Sequence, residues 1–133
     1  MDIKKLSNDV SVSPEIVLSD LQAIKDLAYK TIVCNRPDNE TSEQVNFDLI
    51  ELAARELGIE AFHQPVISGK INKEDVAKFK KLMGEVKLPM LAYCRSGTRC
   101  AMLWSMAMSG ELSNTEILQK TKAAGYDVSA LLR

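Results

Sequence analysis

Pro89-Met90-Leu91-Ala92-Tyr93-Cys94-Arg95-Ser96-Gly97-Thr98-Arg99 is an apolar run that gives way abruptly to a polar turn carrying two arginines. Its first five residues read as a short buried strand. Ala101 to Ser109, just beyond, have the composition of a buried helix that Gly110 closes. A strand feeding a helix through a glycine-bearing loop is the building unit of a parallel sheet. It puts the loop at the carboxyl end of the strand, where open α/β sheets bind their ligands.

The same alternation extends outward on both sides. Thr31-Ile32-Val33-Cys34-Asn35 is β-branched and apolar, as a buried parallel strand should be, and ends in the turn Arg36-Pro37-Asp38-Asn39-Glu40. Thr41 or Ser42 is then expected to cap a helix with Val45, Leu49, Leu52, Ala53 and Leu57 on its apolar face, stopped by Gly58. Ile59 to Val66 reads as a strand that Pro65 either ends or places near an edge, and Ile67 to Ile71 is the loop leaving it. Asn72 caps a further helix, with Val76, Phe79, Leu82 and Met83 on one face and Gly84 as its stop. Upstream, Val10-Ser11-Val12-Ser13 alternates like a short strand, and Ser19-Asp20-Leu21-Gln22 opens a helix through about Tyr29. Downstream, Ser113-Asn114-Thr115-Glu116 is a capping box for a helix to about Ala124, and a short helical piece ends at Arg133. The expectation is an α/β fold, one domain over residues 1–133, with a mostly parallel central sheet flanked by helices. Such a sheet gathers three loops at one end: Arg36 to Glu40, Ile67 to Ile71 and Cys94 to Arg99.

Composition narrows the functions. The 133 residues are 46% hydrophobic and 26% charged, and 17 basic residues against 18 acidic ones give a net charge of -1 with no block of like charge. Neither nucleic acid nor an anionic membrane is suggested as a partner. No apolar stretch approaches membrane-spanning length and the first residues lack the apolar core of a signal peptide, so a cytoplasmic location is expected. Three cysteines, Cys34, Cys94 and Cys100, fit free thiols in a reducing compartment. With one histidine, no Cys-x-x-Cys and no His-x-x-x-His, neither a metal nor another cofactor is expected.

Cys94 is the candidate nucleophile. A free thiol with a pKa of about 8.5 is mostly protonated at neutral pH, and helix N-terminal amides and cations stabilise its thiolate. The helix expected to begin near Arg99 or Cys100 points unpaired N–H groups at the loop, while Gly97 allows successive amides to converge on one anion. Arg99, at the helix start, suits bidentate contact with an oxyanion; Arg95 either joins it or points to solvent. Ser96, Gly97 and Thr98 complete the substrate-binding loop. Arg36 is either a second cation facing the site or a solvated side chain. Asp38 is either a substrate-side carboxylate or a turn residue bonding nearby backbone. His63, inside an apolar strand, reads as a satisfied half-buried residue. Trp104 and the methionines around it read as core.

The loop Cys94-Arg95-Ser96-Gly97-Thr98-Arg99 resembles the active-site loop of rhodaneses, Cys-Arg-x-Gly-x-Thr/Arg. From Ile3 through the helix after Cys94, the chain resembles the DUF442 family, also described as β-lactamase hydrolase-like proteins or as sulfurtransferases. The likeness rests on Asn35-Arg36-Pro37-Asp38, on Gln64-Pro65-Val66 with Ser68-Gly69, and on Ala92 to Arg99. It implies a fold similar to dual-specificity phosphatases. Where that family has Ser after the second Arg, this chain has Cys100, which is either a small helix residue or a thiol that resolves an oxidised or persulfidated Cys94.

Cysteine phosphatases place five residues between nucleophile and arginine; here there are four. They also use a carboxylic acid to protonate the leaving oxygen, and Ile67 to Ile71 carries none. Sulfane-sulfur transfer needs a low-pKa Cys, anion-holding amides and an Arg, without a dedicated acid. On sequence, the leading expectation is therefore a sulfurtransferase passing sulfur through a Cys94 persulfide, from a small sulfur donor to a thiol acceptor. Resemblance to a family sometimes fused to persulfide dioxygenases implies such an enzyme as partner. The alternatives are a phosphatase-like hydrolase acting on phosphotyrosine or small phosphoesters, and a redox-sensing or anion-binding module using Cys94 and Cys100.

Overall fold

A computed structural model describes residues 1–132. Five strands form one sheet: β1 (Lys4–Lys5), β2 (Val10–Ser13), β3 (Thr31–Cys34), β4 (Glu60–His63) and β5 (Met90–Tyr93), in the order β1-β2-β5-β3-β4. β5 lies in the middle, parallel to β2 on one side and β3 on the other, and all four of its residues are buried. That is why it reads as an unbroken apolar run rather than an alternating one. β4, parallel to β3, is an edge strand that stays partly exposed, with Pro65 two residues beyond its end. β1 pairs antiparallel with β2 and was not anticipated from its two lysines.

The pleat sends alternate β5 residues to opposite faces. Met90 and Ala92 join Val12, Val33, Phe79, Leu103, Trp104 and Ile117 in one core. Leu91 and Tyr93 join Ile16, Ile24, Ile32 and Ile50 in the other. The first core is covered by α3 (Lys73–Glu85), α4 (Thr98–Met108) and α5 (Asn114–Ala123), and the second by α1 (Leu21–Asp26) and α2 (Phe47–Glu56). The expected α/β arrangement, a mostly parallel sheet with helices on both sides, is the one observed.

Several boundaries differ from the sequence expectation for identifiable reasons. α1 is preceded by a 3-10 turn at Leu18–Asp20, in which the Asp20 carboxylate accepts the Val17 N–H at 2.9 Å, and the helix stops at Asp26 before reaching Tyr29. α2 starts at Phe47 instead of just after Thr41 or Ser42, because its first amide is capped at a distance: Phe47 N–H donates to Asp38 Oδ1 at 2.9 Å. Its buried face is Phe47, Ile50 and Ala54, so Leu49 and Leu52, expected inside, are 52% and 54% exposed. α3 runs one residue past Gly84. The capping boxes at Asn72/Asp75 and Ser113/Glu116 form as read. The last piece, Ser129–Leu132, is 3-10, and its expected end at Arg133 lies outside the described residues.

Candidate active site

The chain leaves β5 at Tyr93, so Cys94 stands at the carboxyl edge of the central strand, its N–H on the Ser13 carbonyl at 3.4 Å and its side chain fully buried. Gly97 turns the loop with φ 87°, a left-handed value that side chains resist, and serves as N-cap of α4, which begins at Thr98, slightly before the expected start. The turn aims the Gly97 N–H at Cys94 Sγ, 3.1 Å away. The loop is also held from outside. Tyr126, in the segment after α5, donates its hydroxyl to the Ser96 carbonyl at 3.1 Å, and a Cβ on Gly97 would lie 2.1 Å from that hydroxyl. Arg95, Ser96 and Thr98 are exposed at the mouth, with the Ser96 and Thr98 hydroxyls 2.9 Å apart.

This setting brings the Cys94 thiol down to about 5. A hydrogen bond from the Cys100 thiol acts first, and the Cys100 and Arg99 amides and the Arg99 charge add to it, outweighing the opposing effect of burial. Cys94 is therefore a thiolate at neutral pH. Cys100 is wholly buried and is held protonated by that burial, so it serves the thiolate as a donor. Cys34 donates to the Arg36 carbonyl at 3.3 Å and is pushed up to about 11 by burial, which leaves it unreactive.

Both flanking arginines are buried and already engaged. Arg99, 6% exposed, grips Glu40 through Nη1 and Nη2 at 2.8 and 2.9 Å and also donates to the Val66 carbonyl at 2.9 Å. Arg36, 3% exposed, donates from Nε to Glu40 Oε1 at 2.8 Å and from Nη1 to Glu15 Oε2. A chain of ion pairs thus runs Glu15, Arg36, Glu40, Arg99, ending beside Cys94. Arg36 is a buried, doubly paired cation rather than a solvated side chain.

Asp38, considered for the substrate, spends its carboxylate on the α2 cap. His63 is satisfied: Nε2 lies 2.8 Å from the Arg36 carbonyl and its ring stacks on Phe47 at a centroid distance of 4.7 Å. Ile67 to Lys70 are exposed, and just before them the Val66 carbonyl accepts from Arg99. Trp104, on α4, is buried in the core as read from the sequence. Glu40 and Glu15 were missed. Glu40 closes a charged turn and Glu15 follows Pro14, and neither carries a motif; only their place at strand ends, opposite buried arginines, could have pointed to them.

Residues 2–111 match the family described as "Beta-lactamase hydrolase-like protein, phosphatase-like domain". A β-lactamase hydrolase-like protein of Agrobacterium fabrum is 25% identical over the whole chain, and one of Xylella fastidiosa is 30% identical over 75% of it. The chain spans only 31% and 24% of those relatives' lengths. Among solved structures, a candidate phosphatase (nma1982) of Neisseria meningitidis Z2491 is 39% identical, with a TM-score of 0.89 over 98% of this chain and 94% of that one. The core catalytic domain of the PP-IP phosphatase SIW14 from S. cerevisiae shares the fold at 17% identity, with a TM-score of 0.73 over 98% of this chain and 80% of that one.

Proposed function

The chain belongs to the phosphatase-like-domain family of β-lactamase hydrolase-like proteins, and we propose on that footing that it hydrolyses phosphate esters with Cys94 as nucleophile. The observation that carries this is the Gly97 N–H aimed at a Cys94 sulfur that titrates at about 5, at the mouth of a helix and beside buried Arg99. The thiolate attacks phosphorus, the ester P–O bond breaks, and the leaving oxygen departs with the electron pair and takes up a proton. Water then attacks the phosphocysteine, the P–S bond breaks, and the thiolate returns. Loop amides and Arg99 face the phosphoryl oxygens as charge moves onto them. Beside Glu40 lies an open cleft of about 600 Å³, lined mostly by polar residues, with Leu18, Val45 and Leu49 as its apolar part.

The phosphatase-type relatives favour this reading over the sulfur transfer expected from the loop sequence. Sulfur transfer keeps one specific support. Only four residues separate Cys94 from Arg99, and both cations are already paired with carboxylates, which suits a less charged donor than a phosphate monoester. One pair of measurements decides between them. Reduced protein should turn over an aryl phosphate, with activity lost in Cys94→Ser. The same protein incubated with thiosulfate or glutathione persulfide should gain no sulfur by intact mass. Sulfur on Cys94 without phosphate turnover reverses the assignment.

A further inference from the structure

The leaving oxygen needs a proton, and the obvious carboxylates do not supply it. Asp38 is committed to the Phe47 amide, and Ile67 to Ile71 carries no acid. Glu40, held by hydrogen bonds from Arg99 and Arg36, sits below its ordinary pKa and stays ionised. Glu15 is different. It follows β2 by two residues, and its N–H donates to the Arg95 carbonyl at 3.3 Å, which fastens it to the residue next to the nucleophile. Its Oε2 meets Arg36, but its Oε1 is buried with no hydrogen-bond partner among the described residues. A buried carboxylate oxygen left without a partner calls for an explanation, and a proton on Oε1 supplies one.

The groups that act on Glu15 are Arg36 at the end of β3, Glu40 in the following turn and Cys94 at the end of β5, with Tyr93 and Cys34 farther along the same strands. Burial is the strongest influence and raises its pKa. Arg36 opposes, while the negative Cys94 and Glu40 add to the rise. Charge balance points the same way. Arg36 and Arg99 offset Glu40 and the Cys94 thiolate, so a doubly negative phosphate enters more easily when Glu15 is neutral.

We propose that Glu15 is the catalytic acid of this site, an assignment that rests on the phosphate-ester reading. As Cys94 Sγ bonds to phosphorus and the P–O bond breaks, the Oε1 proton passes to the departing oxygen. In the second half, the resulting carboxylate takes a proton from the attacking water, and the acid is regenerated.

The test is a leaving-group series on wild type, Glu15→Gln and Glu15→Asp. Phenyl phosphate, whose leaving group needs a proton, should lose on the order of 10²-fold in kcat with Glu15→Gln. 2,4-Dinitrophenyl phosphate, whose leaving group does not, should change little. Glu15→Asp should recover part of the phenyl phosphate rate, together with the basic limb of the pH profile that Glu15→Gln lacks. Equal losses on both substrates overturn the assignment while leaving the hydrolase reading intact. A wild type that hydrolyses neither substrate removes the hydrolase reading, and the assignment falls with it.

Discussion

Arg99 and Glu40 meet fork to fork, Nη1 to Oε2 at 2.8 Å and Nη2 to Oε1 at 2.9 Å, and Arg36 Nε reaches the same Oε1 at 2.8 Å. Bidentate geometry of this kind fixes a guanidinium plane as no single bond does. Glu40 therefore sets the direction of Arg99 and cancels part of its charge. Its own side chain is 27% exposed, while the two arginines are nearly sealed, so the buried cations depend on this carboxylate.

Glu40→Ala should consequently lower stability by about 1–3 kcal/mol, because it leaves hydrogen-bonding groups of two buried guanidiniums without their partner. Inorganic phosphate should raise the Tm of the variant more than that of wild type, by taking the place of the carboxylate. Glu40 is depressed in the folded protein. Its contribution is thus present above the ordinary carboxylate pKa and is lost as pH falls through the lower folded value. The stability gap between wild type and variant should be full at neutral pH and close in acid. A phosphate-induced shift no larger than that of wild type would place the anion elsewhere.

Cys100 supplies the leading stabilisation of the Cys94 thiolate, and its substitution should be read at Cys94. Cys100→Ala should raise the Cys94 pKa from about 5, which slows alkylation by iodoacetamide at pH 6, whereas Cys100→Ser keeps a donor and should hold the pKa closer to wild type. The depressed pKa also favours folding. That contribution is complete above the unfolded thiol value and fades as pH falls through about 5. Cys94→Ser should therefore differ from wild type in urea midpoint more at pH 9 than at pH 5. A flat rate of wild-type alkylation below pH 7 and a rise only above pH 8 would show an ordinary thiol.

How much of this was visible in the sequence depends on the range of the interaction. Met90 to Tyr93 and Thr31 to Cys34 declared themselves because a strand buried on both faces must be apolar throughout, and Asn72/Asp75 and Ser113/Glu116 because a capping box is complete within four residues. Cys94 and its loop were legible for the same local reason. The start of α2 was not, since its cap comes from Asp38, nine residues upstream of Phe47, and the helical phase shifted with it. Nor were the pairs Glu40–Arg99 and Glu15–Arg36, which span 59 and 21 residues. Composition marks a residue as charged; only the order β2-β5-β3 shows that the ends of these strands converge.

Gly97 and Tyr126 give the sharpest mechanical test of the loop. At φ 87° an alanine is strained in any surroundings, at about 1–3 kcal/mol, and here its Cβ would also fall 2.1 Å from the Tyr126 hydroxyl, 3.0 Å from its ring carbon and 3.3 Å from the Ser13 carbonyl carbon. Gly97→Ala should therefore both destabilise the protein and displace the amide that faces Cys94 Sγ, raising the Cys94 pKa. Tyr126→Ala alone removes the hydroxyl on Ser96 and should loosen the loop mildly. The double variant should be more stable than the sum of the two single losses allows, because the clash disappears while the backbone strain and the contact with Ser13 remain. Denaturant midpoints of the four proteins measure that coupling. Strict additivity would mean that the loop moves away from Tyr126 in Gly97→Ala, and that Tyr126 does not hold the Cys94 turn in place.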